Sequence, residues 1–182
     1  MKYVLSYNYL CFEALIEMIV SDIKPELRFS QTDFAELFGV TVPNGEMTPI
    51  KNVSYSSTES EFGTKPCIED INSFFCNNQV PLRVAFVNSN LCNEMTFSTY
   101  IVNESKKAYI MFAFCYGMLY DEPLNKDIGH VSLLEEVDEK SDMIKIYDPG
   151  PRNPGSKKVK IDDMLYAMRR RGGMYVFEKT IV

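Results

Sequence analysis

Residues 129–150, GHVSLLEEVDEKSDMIKIYDPG, hold two β-rich runs, HVSLLEEVD and MIKIYDPG, on either side of the polar tetrapeptide EKSD. Two such runs around a short polar turn are the signature of an antiparallel hairpin. With the turn near Lys140, the pairing sets His130 opposite residues 148–150 and so beside Asp148. Residues that face one another across such a pair are within side-chain reach. A carboxylate bound to one ring nitrogen fixes the imidazole tautomer and leaves the other nitrogen to exchange a proton with a thiol. His130 is the only histidine among 182 residues. Any chemistry that needs a side chain titrating near neutrality therefore centres on it.

Outward from this hairpin the punctuation is clear. Upstream, AYIMFAFCYGMLY (108–120) is a continuous apolar run, as expected of a strand buried on both faces, followed by the turn-rich DEPLNKDIG. Downstream, PGPRNPGSKK reads as a Pro/Gly loop, VKIDDMLYAMRRR as a closing helix and GGMYVFEKTIV as a last strand. In the N-terminal half, CFEALIEMIVSDI (11–23) sets Cys11, Leu15, Met18, Ile19 and Ile23 near one helical stripe, with Glu13 and Glu17 on another face. Pro25 ends this helix. In SQTDFAELFGV, Ser30 is an N-cap, Asp33 its N3 partner and Gly39 the terminator. Residues 41–66, rich in Pro, Gly, Ser and Thr, read as a long loop. A helix over 68–78, a strand over 81–90 and a helix around 91–105 complete the order. Helices first, then mostly antiparallel strands with helices inserted, predict an α+β fold with the N-terminal helices packed on the sheet. The length fits one domain spanning 1–182.

Composition excludes several function classes. With 46% hydrophobic and 24% charged residues the chain is neither disordered nor a disulfide scaffold. A net charge of -6 argues against nucleic acid as a partner. The five cysteines at 11, 67, 76, 92 and 115 form no CxxC pair, and one histidine gives little to complete a zinc site. No metal and no cofactor is expected, and the thiols are expected to be reduced. Asn8, Glu13 and Glu17 interrupt the apolar N-terminus, and no run of about 18 uncharged apolar residues occurs, so neither a signal peptide nor a membrane span is expected. Together these features predict a cytoplasmic protein. From Lys145 onward there are 9 basic and 4 acidic residues, against 10 and 21 before it. Arg152, Lys157, Lys158, Lys160 and Arg169 to Arg171 could form a patch that recognises an acidic peptide or a carrier protein.

Among the cysteines, Cys11 opens a helix, where the dipole and the free N–H groups favour a thiolate. Cys115 lies in the buried run, and Cys76 and Cys92 adjoin apolar residues, which makes all three structural. Cys67, after Pro66 at a helix start, is the rival nucleophile. Tyr7, Tyr9 and Phe12 flank Cys11 and are candidates to line a peptide or acyl groove.

Cys11, His130 and Asp148, in that chain order, resemble the papain-like cysteine peptidases. More narrowly, CFEALIEMIV, SQTDFAELFGV, GHVSLLEEV, KIYDP and the helix-then-strand ending IDDMLYAMRRRGGMYVF are similar to the double-glycine leader peptidase domains of bacteriocin exporters and their free-standing relatives. The resemblance implies Cys11 as nucleophile, His130 as general base and Asp148 as its orienter, acting on a peptide through an acyl-enzyme. Those peptidases place a Gln six residues before the nucleophile as an oxyanion donor, whereas this chain has Leu5 there. Asn8 and the backbone N–H at Cys11 are the candidate replacements. Losing one such donor costs about 2.7–4 kcal/mol of transition-state stabilisation. Related acyltransferases of antibiotic biosynthesis move an acyl group from a carrier thioester to an amine, and the more reactive thioester tolerates a weaker oxyanion hole. A non-catalytic peptide-binding domain of the same fold is the third expectation.

Overall fold

The computed structural model describes residues 1–122 and 128–180. Its elements run α1 (Cys11–Ile23), α2 (Gln31–Phe38), β1 (Val40–Pro43), β2 (Val53–Ser56), α3 (Ile68–Asn77), β3 (Leu82–Asn88), α4 (Glu94–Glu104), β4 (Ala108–Cys115), α5 (Tyr116–Leu119), β5 (Gly129–Asp138), β6 (Met143–Asp148), β7 (Gly155–Lys160), α6 (Ile161–Arg169) and β8 (Gly173–Lys179). Six strands form one sheet in the order β3-β8-β4-β5-β6-β7, with every neighbouring pair antiparallel. The fold is α+β, as the order of elements in the sequence predicts.

Strand β4 shows why its sequence is apolar throughout. Met111 joins the core made by α1, α2 and α3 on one face of the sheet. Ile110, Phe112 and Phe114 join the core made with α4 and α6 on the other. Period-2 alternation thus feeds two cores from one strand. The apolar run outlasts the strand, however. Chain pairing ends at Cys115, and Tyr116–Leu119 turns into the short helix α5. Beside β4, Gly173 sits where an added Cβ would lie 2.0 Å from the Val87 carbonyl oxygen, so β3 and β8 close on one another only with glycine there.

Two predicted loops contain strands. Within 41–66, β1 and β2 pair in parallel, Val40 with Val53 through Pro43 with Ser56. The four-residue β2 has no buried residue, so it leaves no hydrophobic period to read. The second half of PGPRNPGSKK begins β7, an edge strand that pairs only with β6 and whose residues alternate between half-buried and exposed. The local signals of α2 hold in full: Ser30 and Asp33 form a capping box, and Gly39 ends the helix at φ 76°. Most of the turn-rich segment 121–129 lies outside the described residues. Among the described residues no helix is long and apolar enough to cross a membrane.

Candidate active site

The hairpin register brings the first two members of the site together. Leu133 faces Tyr147 and Leu134 faces Ile146, before an irregularity shifts the pairing by one nearer the turn. Continued to the open end, this register makes His130 and Asp148 diagonal neighbours on one face. The His130 Nε2 lies 2.8 Å from Asp148 Oδ1. Tyr116 and Phe114 meet the imidazole edge-on, with ring centroids 5.3 and 5.6 Å away, and fix its plane.

The N-terminal segment carries Cys11 to this point. Ser6 N–H donates to the Pro149 carbonyl at 2.8 Å, and its hydroxyl donates to Gly150 O at 3.2 Å. From the other side, Gln31 on α2 accepts from Tyr7 N–H and donates to Leu5 O. Laced at both edges, residues 5–8 lead through a turn into α1, whose N-cap Leu10 offers no side-chain cap. Cys11 begins the helix, half-buried, and its side chain acts on the His130 ring in the direction that raises its pKa. Cys11 and His130 both line a cavity of about 640 Å³, walled further by Asn8, Phe62, Thr64 and Arg152.

Electrostatics favour a charged pair. Burial pushes the His130 imidazole down, but hydrogen bonds to Asp148 and Cys11, together with their negative charges, outweigh it and hold the group at about 9. Burial likewise raises Asp148, yet the bonds and charge of His130 and the Gly150 N–H bring its carboxyl below the usual range. The carboxylate is 1% exposed and fully engaged. Tyr120 Oη donates to Oδ2 at 2.7 Å, Gly150 N–H to Oδ1 at 2.9 Å, and Lys157 Nζ lies 3.3 Å from Oδ2. Lys157 also sits over the Tyr120 ring, 5.1 Å from its centroid.

The other sequence candidates divide. Asn8, Tyr9 and Phe12 line the cavity, Phe12 as a buried floor packed edge-on against Tyr175. Tyr7 does not line it: with its N–H tied to Gln31, its side chain is turned to solvent and 63% exposed. Cys67, the rival thiol, is exposed at the start of α3 and donates to Glu69, with no histidine to act as its base. Cys76 is exposed, because Phe74 and Phe75 occupy the core-facing positions of α3. Tyr120 and Lys157 were not legible as site residues. The first lies inside an apolar run and the second inside a basic loop, and only the fold brings them to Asp148.

Glu13 departs furthest from its sequence reading. It is fully buried rather than solvated, because the segment around Thr64 covers that face of α1. Thr64 Oγ1 is in hydrogen-bond contact with both Glu13 Oε1 and the Gly39 carbonyl, while Glu13 Oε2 has no partner. Burial raises the carboxyl to about 7 against the Thr64 hydrogen bond. A carboxyl raised on folding favours the folded state most below its unfolded value, and that advantage is lost as pH rises through about 7. The variant Glu13→Gln is therefore expected to gain about 3 kcal/mol relative to the parent between pH 5 and pH 8. Urea unfolding at the two pH values measures this; equal differences at both would show that Glu13 is ionised throughout.

No family model and no curated protein matches the chain. Among solved structures it is similar to a crystal structure assigned as a C39-like peptidase from Bacillus anthracis, with a TM-score of 0.61 at 11% sequence identity. The alignment covers 100% of this chain and 96% of the other. At that identity the likeness speaks for architecture alone. The chain has the mixed helix-and-sheet, α+β fold of that C39-like peptidase structure, built on a mostly antiparallel six-stranded sheet.

Proposed function

We propose that the protein is a cysteine-dependent acyl-transfer enzyme that hydrolyses a peptide through an acyl-enzyme on Cys11. The observation that supports this reading most is the placement of the single histidine between a helix-terminal cysteine and a buried carboxylate, on the wall of one cavity. Asp148 on Nε2 leaves Nδ1 for the sulfur. The Cys11 proton passes to His130 as the sulfur becomes the nucleophile. Sulfur attacks the substrate carbonyl, a C–S bond forms, and the C–N bond breaks as His130 gives its proton to the departing amine. In the second half His130 takes a proton from water, which attacks the thioester and releases the acid and the thiol. Asn8 and the backbone N–H at Cys11 are the oxyanion donors in this scheme, since Leu5 has no side chain to donate.

One observation favours transfer over hydrolysis as the second reading. Leu5 leaves one fewer side-chain donor, a loss that an activated acyl donor such as a carrier thioester withstands better than an amide. Mass spectrometry of the intact chain, after incubation with a peptide mixture and separately with acyl thioesters, distinguishes the readings. An acyl adduct on Cys11 that disappears in water supports hydrolysis. One that persists until an amine is added supports transfer. No adduct from either donor class would contradict both and leave a peptide-binding domain.

A further inference from the structure

Several of the C-terminal cations have partners within the fold. Lys157 is spent on Asp148, Lys145 pairs with Glu135 at 3.4 Å, and Lys179 lies over the Tyr109 ring. Two arginines instead reach the cavity that holds Cys11 and His130. Arg171, just after α6, lies against Gly129, the residue preceding His130, where its guanidinium carbon would be 3.5 Å from an added Cβ. Among the described residues its hydrogen bond runs from Nη1 to the Ser60 carbonyl at 3.3 Å, and its buried Nη2 has no partner there. Arg152, exposed on the loop after β6, lines the same cavity, where Tyr9 also feels Glu46 and Glu59 and Tyr116 also feels Glu122 and Asp148. Neither arginine forms an ion pair among the described residues.

A half-buried guanidinium facing only a carbonyl is an incomplete arrangement, because its planar fork of donors matches a carboxylate. Among the described lining residues Lys65 adds a third cation and Glu59 is the one carboxylate, so these residues are net positive in a chain whose overall charge is -6. That local reversal of sign concentrates anions where the thiol sits.

Resting on the catalytic reading above, we infer that the cavity selects substrates that carry a carboxylate close to the reacting carbonyl, held by Arg171 and Arg152. An acidic side chain or a chain-terminal carboxylate supplies the same chemistry, and the adduct masses obtained with acidic peptides would tell them apart.

Two small alkylating reagents test this without knowledge of the substrate. Iodoacetate and iodoacetamide deliver the same carboxymethylene carbon and differ in one negative charge. The ratio of their rates at Cys11, read by peptide mass spectrometry, is expected to fall about tenfold in Arg171→Gln and in Arg152→Gln, and to shrink in about 0.5 M salt. The exposed Lys158→Gln removes the same charge away from the cavity and should leave the ratio unchanged. Because Arg152 stands on an exposed loop, its variant decides the matter if Arg171→Gln lowers the unfolding midpoint. A ratio unaltered by either arginine overturns the inference while the catalytic reading stands. A Cys11 that reacts with neither reagent overturns the catalytic reading and the inference with it.

Discussion

Replacing His130 by alanine is expected to slow acylation of Cys11 by about 10²–10⁴-fold, the usual contribution of a positioned acid–base group. The argument is one of scarcity as much as geometry. The chain has no second histidine, and no other group in the cavity is placed between the thiol and a carboxylate. Cys67 and Cys76 are exposed and do not line the cavity, so their modification rates serve as internal references that the substitution should leave alone. The readout is the rate of adduct formation on Cys11 in the intact chain. A His130→Ala variant that acylates as fast as the parent would remove proton transfer by His130 from the account.

Replacing Asp148 by alanine is expected to destabilise the fold by about 3–5 kcal/mol, the usual cost of stripping one partner from a buried charge pair. Four donors converge on this carboxylate, from His130, Tyr120, Gly150 and Lys157. Alanine leaves all of them facing a void. Asp148→Asn keeps the shape and one acceptor oxygen, and should cost less, about 1–3 kcal/mol. The pH dependence has a defined sign. His130 is raised on folding, so its share of the stability is fully present below about 6.5 and is lost as pH climbs through about 9. Asp148 is lowered, so its share is present above the ordinary carboxylate range and fades as pH falls through its depressed value. The pair therefore stabilises best between the ordinary carboxylate range and about pH 6.5, on the acid side of neutrality. In Asp148→Asn the imidazole loses the neighbouring charge that helps hold it up, and its NMR titration midpoint should drop below about 9. Urea unfolding of the two variants at neutral pH, with costs indistinguishable from zero, would show that the four donors find water instead.

Much of this arrangement could be read from residues close together in the chain. The β5–β6 hairpin is short-range, and its register follows from the polar turn between two apolar runs. That is why His130 and Asp148 could be paired by position alone. The Ser30–Asp33 capping box and the Gly39 stop are likewise local, as is the helix that begins at Cys11. What escaped the sequence depends on distant partners. Glu13 looks solvated on a helical wheel, and only the packing of Thr64 across α1 buries it. Tyr120 and Lys157 reach Asp148 from other elements, with nothing in their own neighbourhoods to mark them. The strands β2 and β7 are short and hold no buried residue; β2 pairs with β1 in a separate two-stranded sheet, and β7 adds to the edge of the large one. Tyr7 failed for a subtler reason. Asn8, Tyr9 and Phe12 line the cavity beside Cys11, whereas Gln31 ties the Tyr7 backbone and leaves that side chain in solvent.

The central claim is that Cys11 is an activated nucleophile paired with His130. It is tested most directly by ranking all five thiols of the native protein for their rate of modification by iodoacetamide near pH 7. Cys67 and Cys76 are exposed, whereas Cys11 and Cys92 are half-buried and Cys115 is buried. The account predicts that Cys11 reacts first, ahead of both exposed thiols, because its environment rather than its accessibility sets the rate. A ranking that simply follows exposure, with Cys67 and Cys76 leading and Cys11 no faster than Cys92, would contradict it.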